Sequence, residues 1–266
     1  MASTRVARRG PHPAARVVRA IVAKHERRAA PKLEAIALTP WLDHLRIHVA
    51  IAKRGHDPEG VHQVRVAVAR LRVWLDLGGW RVLHDDLRWL RARAAPVRDL
   101  DVQLARELPP AYAERLRAEH RLAREALVRA LQTDRLHALL SALAVLPPLS
   151  ASEARDGLER LTRRTLALGR ALPRDGYACL HAVRRSVRRV RFALEWLGQP
   201  SDEIVRLQDA LGAFGDAFVA VRYAKEHGRG PEMAEHRRVL DRELRDAARK
   251  ARAVWRRARP VLEALA

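Results

Sequence analysis

Apolar residues recur at intervals of three and four along nearly the whole chain, as in Leu116, Leu122, Ala126, Leu127, Ala130 and Leu131, and alternating runs between Gly-rich turns are missing. A period near 3.6 lays one apolar stripe along a helix, whereas a half-buried strand needs a period of two. The chain is therefore expected to be all-α. Proline and glycine clusters punctuate the pattern at Gly55 to Pro58, Gly78-Gly79, Pro96, Pro109-Pro110, Pro147-Pro148, Pro173 to Gly176, Gly198 to Ser201 and Gly228 to Pro231. Between them the spacing predicts helices near 41–54, 58–77, 81–94, 97–107, 111–146 with a break near Thr133-Asp134, 152–171, 176–197, 202–226 and 232–258. A short helix is expected over 16–30, and residues 1–15, which lack an apolar period, read as a disordered basic arm.

Two of these helices carry nearly the same pattern. VHQVRVAVARLRVWL (61–75) and LHAVRRSVRRVRFAL (180–194) superpose at an offset of 119 residues, which sets His62 on His181, Arg65 on Arg184, Arg70 on Arg189 and Arg72 on Arg191. Further on, PVRDLDV (96–102) precedes AFGDAFV (213–219) by 117 residues and places Asp99 opposite Asp216. A pair of motifs repeated in the same order points to internal duplication. The expected architecture is an antiparallel helical bundle of two pseudo-symmetric halves, about 40–147 and about 152–266, within one domain spanning 16–266.

Within the repeated helix, Val61, Val64, Val68, Leu71 and Leu75 fall in one stripe, as do Leu180, Val183, Val187, Val190 and Leu194. These positions are the expected core. On one flank of the stripe lie His62, Arg65 and Arg72 in the first copy, and His181, Arg184, Arg188 and Arg191 in the second. From His181 to Arg191 the helix rises about 15 Å, so the second flank forms a ladder against which a linear anion could lie. Arginine suits that task, because its planar fork grips phosphate oxygens bidentately and keeps its charge. Arginines beside a core stripe also snorkel for purely structural reasons. Asp57 before Pro58, and Asp175, are expected to cap the two helices. Asp99 and Asp216 are expected to orient arginines of the ladders.

Charge changes the balance between ladder and snorkel. The 266 residues hold 52 basic and 31 acidic side chains, a formal net charge of +21, and only five of the basic residues are lysine. A GC-rich genome inflates arginine without functional cause, but an excess this large repels itself unless an anionic partner relieves it. The single cysteine, Cys179, excludes a disulfide framework and a Cys-based zinc site, and a reducing cytosol is expected. No apolar run approaches the ~20 residues of a spanning helix, and the N-terminus lacks a cleavable apolar segment, so neither membrane insertion nor secretion is expected.

The repeated H-x-x-R-x-x-x-x-R-x-R pattern, with RDLDV after the first copy and LQDALGAFGD (207–216) after the second, resembles the CHAD family, the conserved histidine α-helical domain, from about Trp41 to the C-terminus. That resemblance implies a two-halved helical bundle whose basic cavity or surface binds inorganic polyphosphate without catalysis. Its histidines correspond to His62 and His181 here. Its basic positions correspond to Arg65, Arg70, Arg72, Arg184, Arg185, Arg188, Arg189 and Arg191, with Arg206 where the family often has lysine. Ala69 stands where members often carry a second basic residue, which thins the first ladder. The resemblance also implies a cytoplasmic location, at polyphosphate granules, and no cofactor.

Other chemistry finds less support. The E-x-E-x-K strand of triphosphate-tunnel domains, to which CHAD domains are sometimes fused, is missing, as is a G-x-x-x-x-G-K-[ST] phosphate loop. His44 and His48 lie four apart but lack the glutamate of H-E-x-x-H, and His84-Asp85-Asp86 lacks the further spaced ligands of a metal phosphohydrolase, so no metal is expected. Two alternatives to polyphosphate remain. A phosphate ladder also reads nucleic-acid backbones, expected here as a weaker competing polyanion because aromatics make up only 5% of the chain. An adaptor role toward an acidic protein partner is the other.

Overall fold

The computed structural model describes residues 35–266 except 56 and 173–175. The expected N-terminal arm, the helix over 16–30 and the Asp175 cap lie outside the described residues. Nine helices account for most of the described chain: α1 (Thr39–Arg54), α2 (Pro58–Leu77), α3 (His84–Leu104), α4 (Pro110–Leu131), α5 (Asp134–Ala144), α6 (Ala151–Gly169), α7 (Tyr177–Trp196), α8 (Asp202–Glu226) and α9 (Met233–Ala264). The fold is all-α, as the apolar period implies.

Local chemistry sets most of the helix ends. Asp57 caps α2 by accepting from the Glu59 amide at 2.8 Å, ahead of Pro58. Ser150 caps α6 in a reciprocal capping box with Glu153, and Ser201 caps α8. The break between α4 and α5 falls at Thr133, whose hydroxyl donates to the Ala130 carbonyl at 2.8 Å.

Three expectations are corrected. The helices predicted at 81–94 and 97–107 are one helix, α3, running through Pro96 with Ala94 and Val97 buried on either side. A proline removes one amide and crowds the preceding turn, but packing of the flanking apolar residues outweighs a local cost of roughly 3 kcal/mol. The last helix likewise continues through Pro260 to Ala264. Two short strands, β1 (Ala35–Ile36) and β2 (Leu149–Ser150), pair antiparallel in register Ala35 with Ser150 and Ile36 with Leu149. They close the segment before α1 onto the segment before α6, and the Trp74 indole of α2 donates to the Ile36 carbonyl at 3.0 Å.

Both repeated stripes are core. Val61, Val64, Val68, Leu71 and Leu75, and Leu180, Val183, Val187, Val190 and Leu194, are all buried. In the first part of the bundle α1 packs on α2, α2 on α3, α3 on α4 and α1 on α4; in the second α6 packs on α7, α7 on α8, α8 on α9 and α6 on α9. The same four pairings thus recur in the same order. The two sets meet where α2 touches α6 and α7 and where α3 touches α8, so the repeated helices α2 and α7 lie side by side at the centre. Gly157 of α6 permits this closeness, since a Cβ there would lie 2.5 Å from the Leu77 backbone of α2. Among the described residues no helix is long and apolar enough to cross a membrane.

Candidate functional site

Where α2, α3, α6 and α7 converge, a partly open cleft of ≈ 270 Å³ is lined by Arg72, Arg91, Arg164, Arg185, Arg188 and Arg189, with Asp76 its only carboxylate. The polar helix flanks are directed into it because the apolar stripes of α2 and α7 are turned into the core on the opposite side. Ser186 lines the cleft and is anchored to Thr165 of α6, hydroxyl to hydroxyl at 2.7 Å.

Charge in the cleft is poorly compensated. Arg189 donates to Asp76 through Nε at 3.1 Å and approaches it through a terminal nitrogen at 2.6 Å. Among the described residues Arg72, Arg91, Arg164, Arg185 and Arg188 form no ion pair. Burial pushes Arg188 down to about 9, with the guanidinium groups of Arg91, Arg184, Arg65 and Arg72 adding to the effect. Burial likewise brings Arg91 down to about 10, aided by Arg65, Arg72, Arg184 and Arg185. Arginine stays charged at physiological pH, so these depressions express stored repulsion and lost hydration rather than proton loss. The Nε of Arg72 is buried with no hydrogen-bond partner among the described residues. An anion would relieve each of these deficits together.

Beside the cleft, toward α8, a second group of arginines does have carboxylates. Arg65 donates to Asp99 at 2.9 Å and to the Ala95 carbonyl at 3.1 Å, and Arg222 of α8 approaches Asp99 at 3.6 Å. Arg184 lies 4.0 Å from Asp216, its chain passing over Gly215, where a Cβ would come within 2.3 Å of its Nε. Asp99 and Asp216 thus each lie beside one arginine of the repeated helices.

The histidines sit next to this charge. His181, near the start of α7, is held below its ordinary value by burial and then by Arg185, Arg184, Arg188 and Arg91, and its Nδ1 is buried without a partner among the described residues. His62 is lowered by burial and Arg98, with Glu59 opposing and Arg65 adding. Both shifts favour the neutral imidazole.

Three of the expected basic positions, one from the ladder and two implied by the resemblance, lie elsewhere. Arg70 is stacked between the rings of Trp41, 4.1 Å away, and Phe192, 4.4 Å away, and pairs with Glu195. Arg191 donates to the same Glu195 at 2.8 Å. Arg206 is exposed on the first turns of α8 and pairs with Glu203 at 2.7 Å. None of the three lines the cleft. Phe192 also lines the cleft, with one side of its ring covered by Arg70.

Arg91 and Arg164 escaped the reading of the sequence. Splitting α3 at Pro96 hid that Arg91 and Arg98 are seven residues apart on one helix and share a face with Asp99. Arg164 on α6 carries no local signal at all. Of the metal motifs, the His44 and His48 rings stay in contact with centroids 4.3 Å apart and His44 also meets Gln63 at 2.9 Å, while His84 donates to the Trp80 carbonyl at 3.0 Å, Asp85 pairs with Arg88 and Asp86 with Arg135. Among the described residues no group of three His, Cys, Asp or Glu could hold a metal ion.

Comparison with known proteins agrees with this architecture. The crystal structure of the CHAD domain from the plant Ricinus communis matches with a TM-score of 0.59 and 25% identity, over 90% of this chain and 93% of that one. PptA from Streptomyces chartreusis matches with a TM-score of 0.61 and 21% identity, over 84% of this chain and 98% of that one. No match is found among curated proteins. Residues 36–225 match the CHAD domain itself, a span that takes in the repeated helices, both aspartates and the whole cleft, and the chain therefore belongs to the CHAD family.

Proposed function

We propose that this chain binds inorganic polyphosphate, without cleaving it, in the cleft between α2, α3, α6 and α7. The observation that carries the reading is the concentration of six arginines against one carboxylate, with Arg91 and Arg188 half-buried among like charges and unpaired among the described residues. Arg72, Arg91, Arg164, Arg185, Arg188 and Arg189 make the inner contacts. Arg65, Arg184, His62 and His181 extend them along the neighbouring face, and Asp99 and Asp216 orient Arg65 and Arg184. Arg70 braces the two central helices, Arg191 pairs along its own helix with Glu195, and Arg206 lies apart. A soluble cytoplasmic protein of this kind would meet its ligand at polyphosphate granules.

A chain of phosphates without bases fits a narrow cleft whose one aromatic wall, Phe192, is covered on one side, whereas single-stranded nucleic acid relies on open stacking faces. The test compares long-chain polyphosphate with single-stranded DNA and RNA of matched charge in one buffer. Polyphosphate should bind more tightly. Equal affinities would favour a nucleic-acid function, and binding of neither would point to an acidic protein partner. The matching variant is Arg185→Gln with Arg188→Gln, which should weaken binding roughly 100-fold or more, two lost charge-assisted contacts being worth roughly 3 kcal/mol or more. Its control, Arg249→Glu with Arg256→Glu on exposed turns of α9, should change affinity far less. Equal losses would show that overall charge, not the cleft, attracts the anion.

A further inference from the structure

Asp76 stands out in the cleft because it is the one anion among six arginines and because it has two partners of different kinds. On one side Arg189 of α7 grips its Oδ2 at 2.6 and 3.1 Å. On the other, Nε2 of His84, at the start of α3, lies 3.6 Å from its Oδ1 while donating to the Trp80 carbonyl at 3.0 Å. A phosphate entering the cleft must compete with Asp76 for Arg189, and once it wins, two anions share a confined space.

We propose that Asp76 is the built-in counter-ion of the cleft, that a bound phosphate chain takes Arg189 from it, and that His84 then takes Asp76 over by accepting a proton from solvent. The inference rests on the polyphosphate reading above. The charges that face His84 are Asp76 and Arg72 from α2 and Arg189 from α7. Before binding, burial holds the ring below its ordinary value; Asp76 and the Trp80 carbonyl raise it, and Arg72 and Arg189 lower it. When phosphate neutralises Arg72 and Arg189, the two cations that disfavour the imidazolium lose their effect and Asp76 alone faces the ring. Protonation follows from that change of field.

Such an exchange makes Asp76 a specificity-determining residue. A short phosphate gains too few other contacts to offset the broken Arg189–Asp76 pair, whereas a long chain engages many arginines along the cleft and its edge. The protein thereby discriminates by chain length without measuring it.

The experiment is calorimetric titration with pyrophosphate, tripolyphosphate and long-chain polyphosphate, in buffers of different ionisation enthalpy, between pH 6 and 7.5. The wild-type protein should take up protons on binding through this route, at most one per cleft. Asp76→Asn should bind the short phosphates about tenfold more tightly, the size of one freed charge-assisted contact, and the long chain less than proportionally so. His84→Gln, whose amide can still donate to the Trp80 carbonyl, should keep the Arg189–Asp76 pair and lose that proton uptake. Asp85→Asn, an equal change of charge on an exposed neighbour paired with Arg88, is the control and should shift affinity less than about twofold. If Asp76→Asn binds short phosphates no better than Asp85→Asn, or if His84→Gln takes up as many protons as wild type, the exchange is overturned while polyphosphate binding stands. If the wild-type protein binds no phosphate chain, both readings fall. Should Asp76→Asn not melt cooperatively, the proton count of His84→Gln decides alone.

Discussion

Arg70 of α2 reaches across to pair with Glu195 of α7. The 119-residue offset that superposes the two repeated helices carries Arg70 onto Arg189 and Asp76 onto Glu195, and Arg189 does pair with Asp76. Each central helix therefore gives one arginine to a carboxylate of the other, in reciprocal positions. The recurrent helix pairings follow the same correspondence. The two crossings have diverged in surroundings. Arg70 is enclosed by Trp41 and Phe192 and braces the bundle, whereas the Arg189 pair borders the cleft.

Removing the brace should cost stability and leave binding intact. Arg70→Ala strands Glu195 with Arg191 alone and opens the space between two aromatic rings. Both partners retain some exposure, so the loss should be about 2–3 kcal/mol, below the roughly 3–5 of a fully buried broken pair. Thermal melting should fall by roughly 5–10 °C. Polyphosphate affinity of the folded variant, by titration below its melting range, should change less than about threefold.

The cleft arginines should behave in the opposite way. Arg188 and Arg91 are half-buried against like charge, so Arg188→Gln with Arg91→Gln should raise the melting temperature of the free protein by a few degrees while weakening polyphosphate binding at least tenfold, about 1.4 kcal/mol. A loss of both stability and affinity would show that these side chains hold the bundle together.

Salt dependence reports how many phosphates are engaged. Six contacts should give a log–log slope of affinity against salt near −4, taking about −0.7 per contact from single-stranded nucleic acids. A flat response would remove the electrostatic mechanism.

Acid should destabilise the free protein. His62, His181, His84, His48 and His236 are all lowered from 6.5. Below 6.5 the unfolded chain binds more protons at these sites than the folded one, so their contribution is fully present above 6.5 and is lost as pH falls through the lowered values. Melting temperature should therefore drop between pH 7.5 and 5.5. Saturating polyphosphate should reduce that drop, because a bound anion favours the imidazolium of His181 and His84.

Gly215→Ala tests how Arg184 is aimed. The new methyl would overlap the arginine chain at Nε, Cζ and Cδ, which must swing aside from Asp216. Helix propensity improves by up to ~1 kcal/mol, so stability should hold while polyphosphate affinity falls several-fold. Unchanged affinity would place Arg184 outside the binding surface.

Periodicity alone determined that the chain is helical, where most helices lie, and which residues of 61–75 and 180–194 form the core, because burial of a stripe is a property of one helix and its spacing. The repeat announced that α2 and α7 occupy equivalent places and drew attention to Arg72 and Arg189; the flank of the stripe added Arg188, and Arg185 came only from the family resemblance. Proline misled the reading at Pro96 and Pro260, where long-range packing of Ala94, Val97, Ala258 and Leu262 outweighs a local penalty. Only the tertiary structure decided which flanking arginines are braces and which are unpaired. Arg70 and Arg72 are two positions apart on one helix, yet one meets Glu195 between two rings and the other faces a cleft with Arg91 and Arg164 brought in from α3 and α6. The partner of a long, flexible guanidinium is supplied by whichever helix packs against it, and no spacing within the chain encodes that choice.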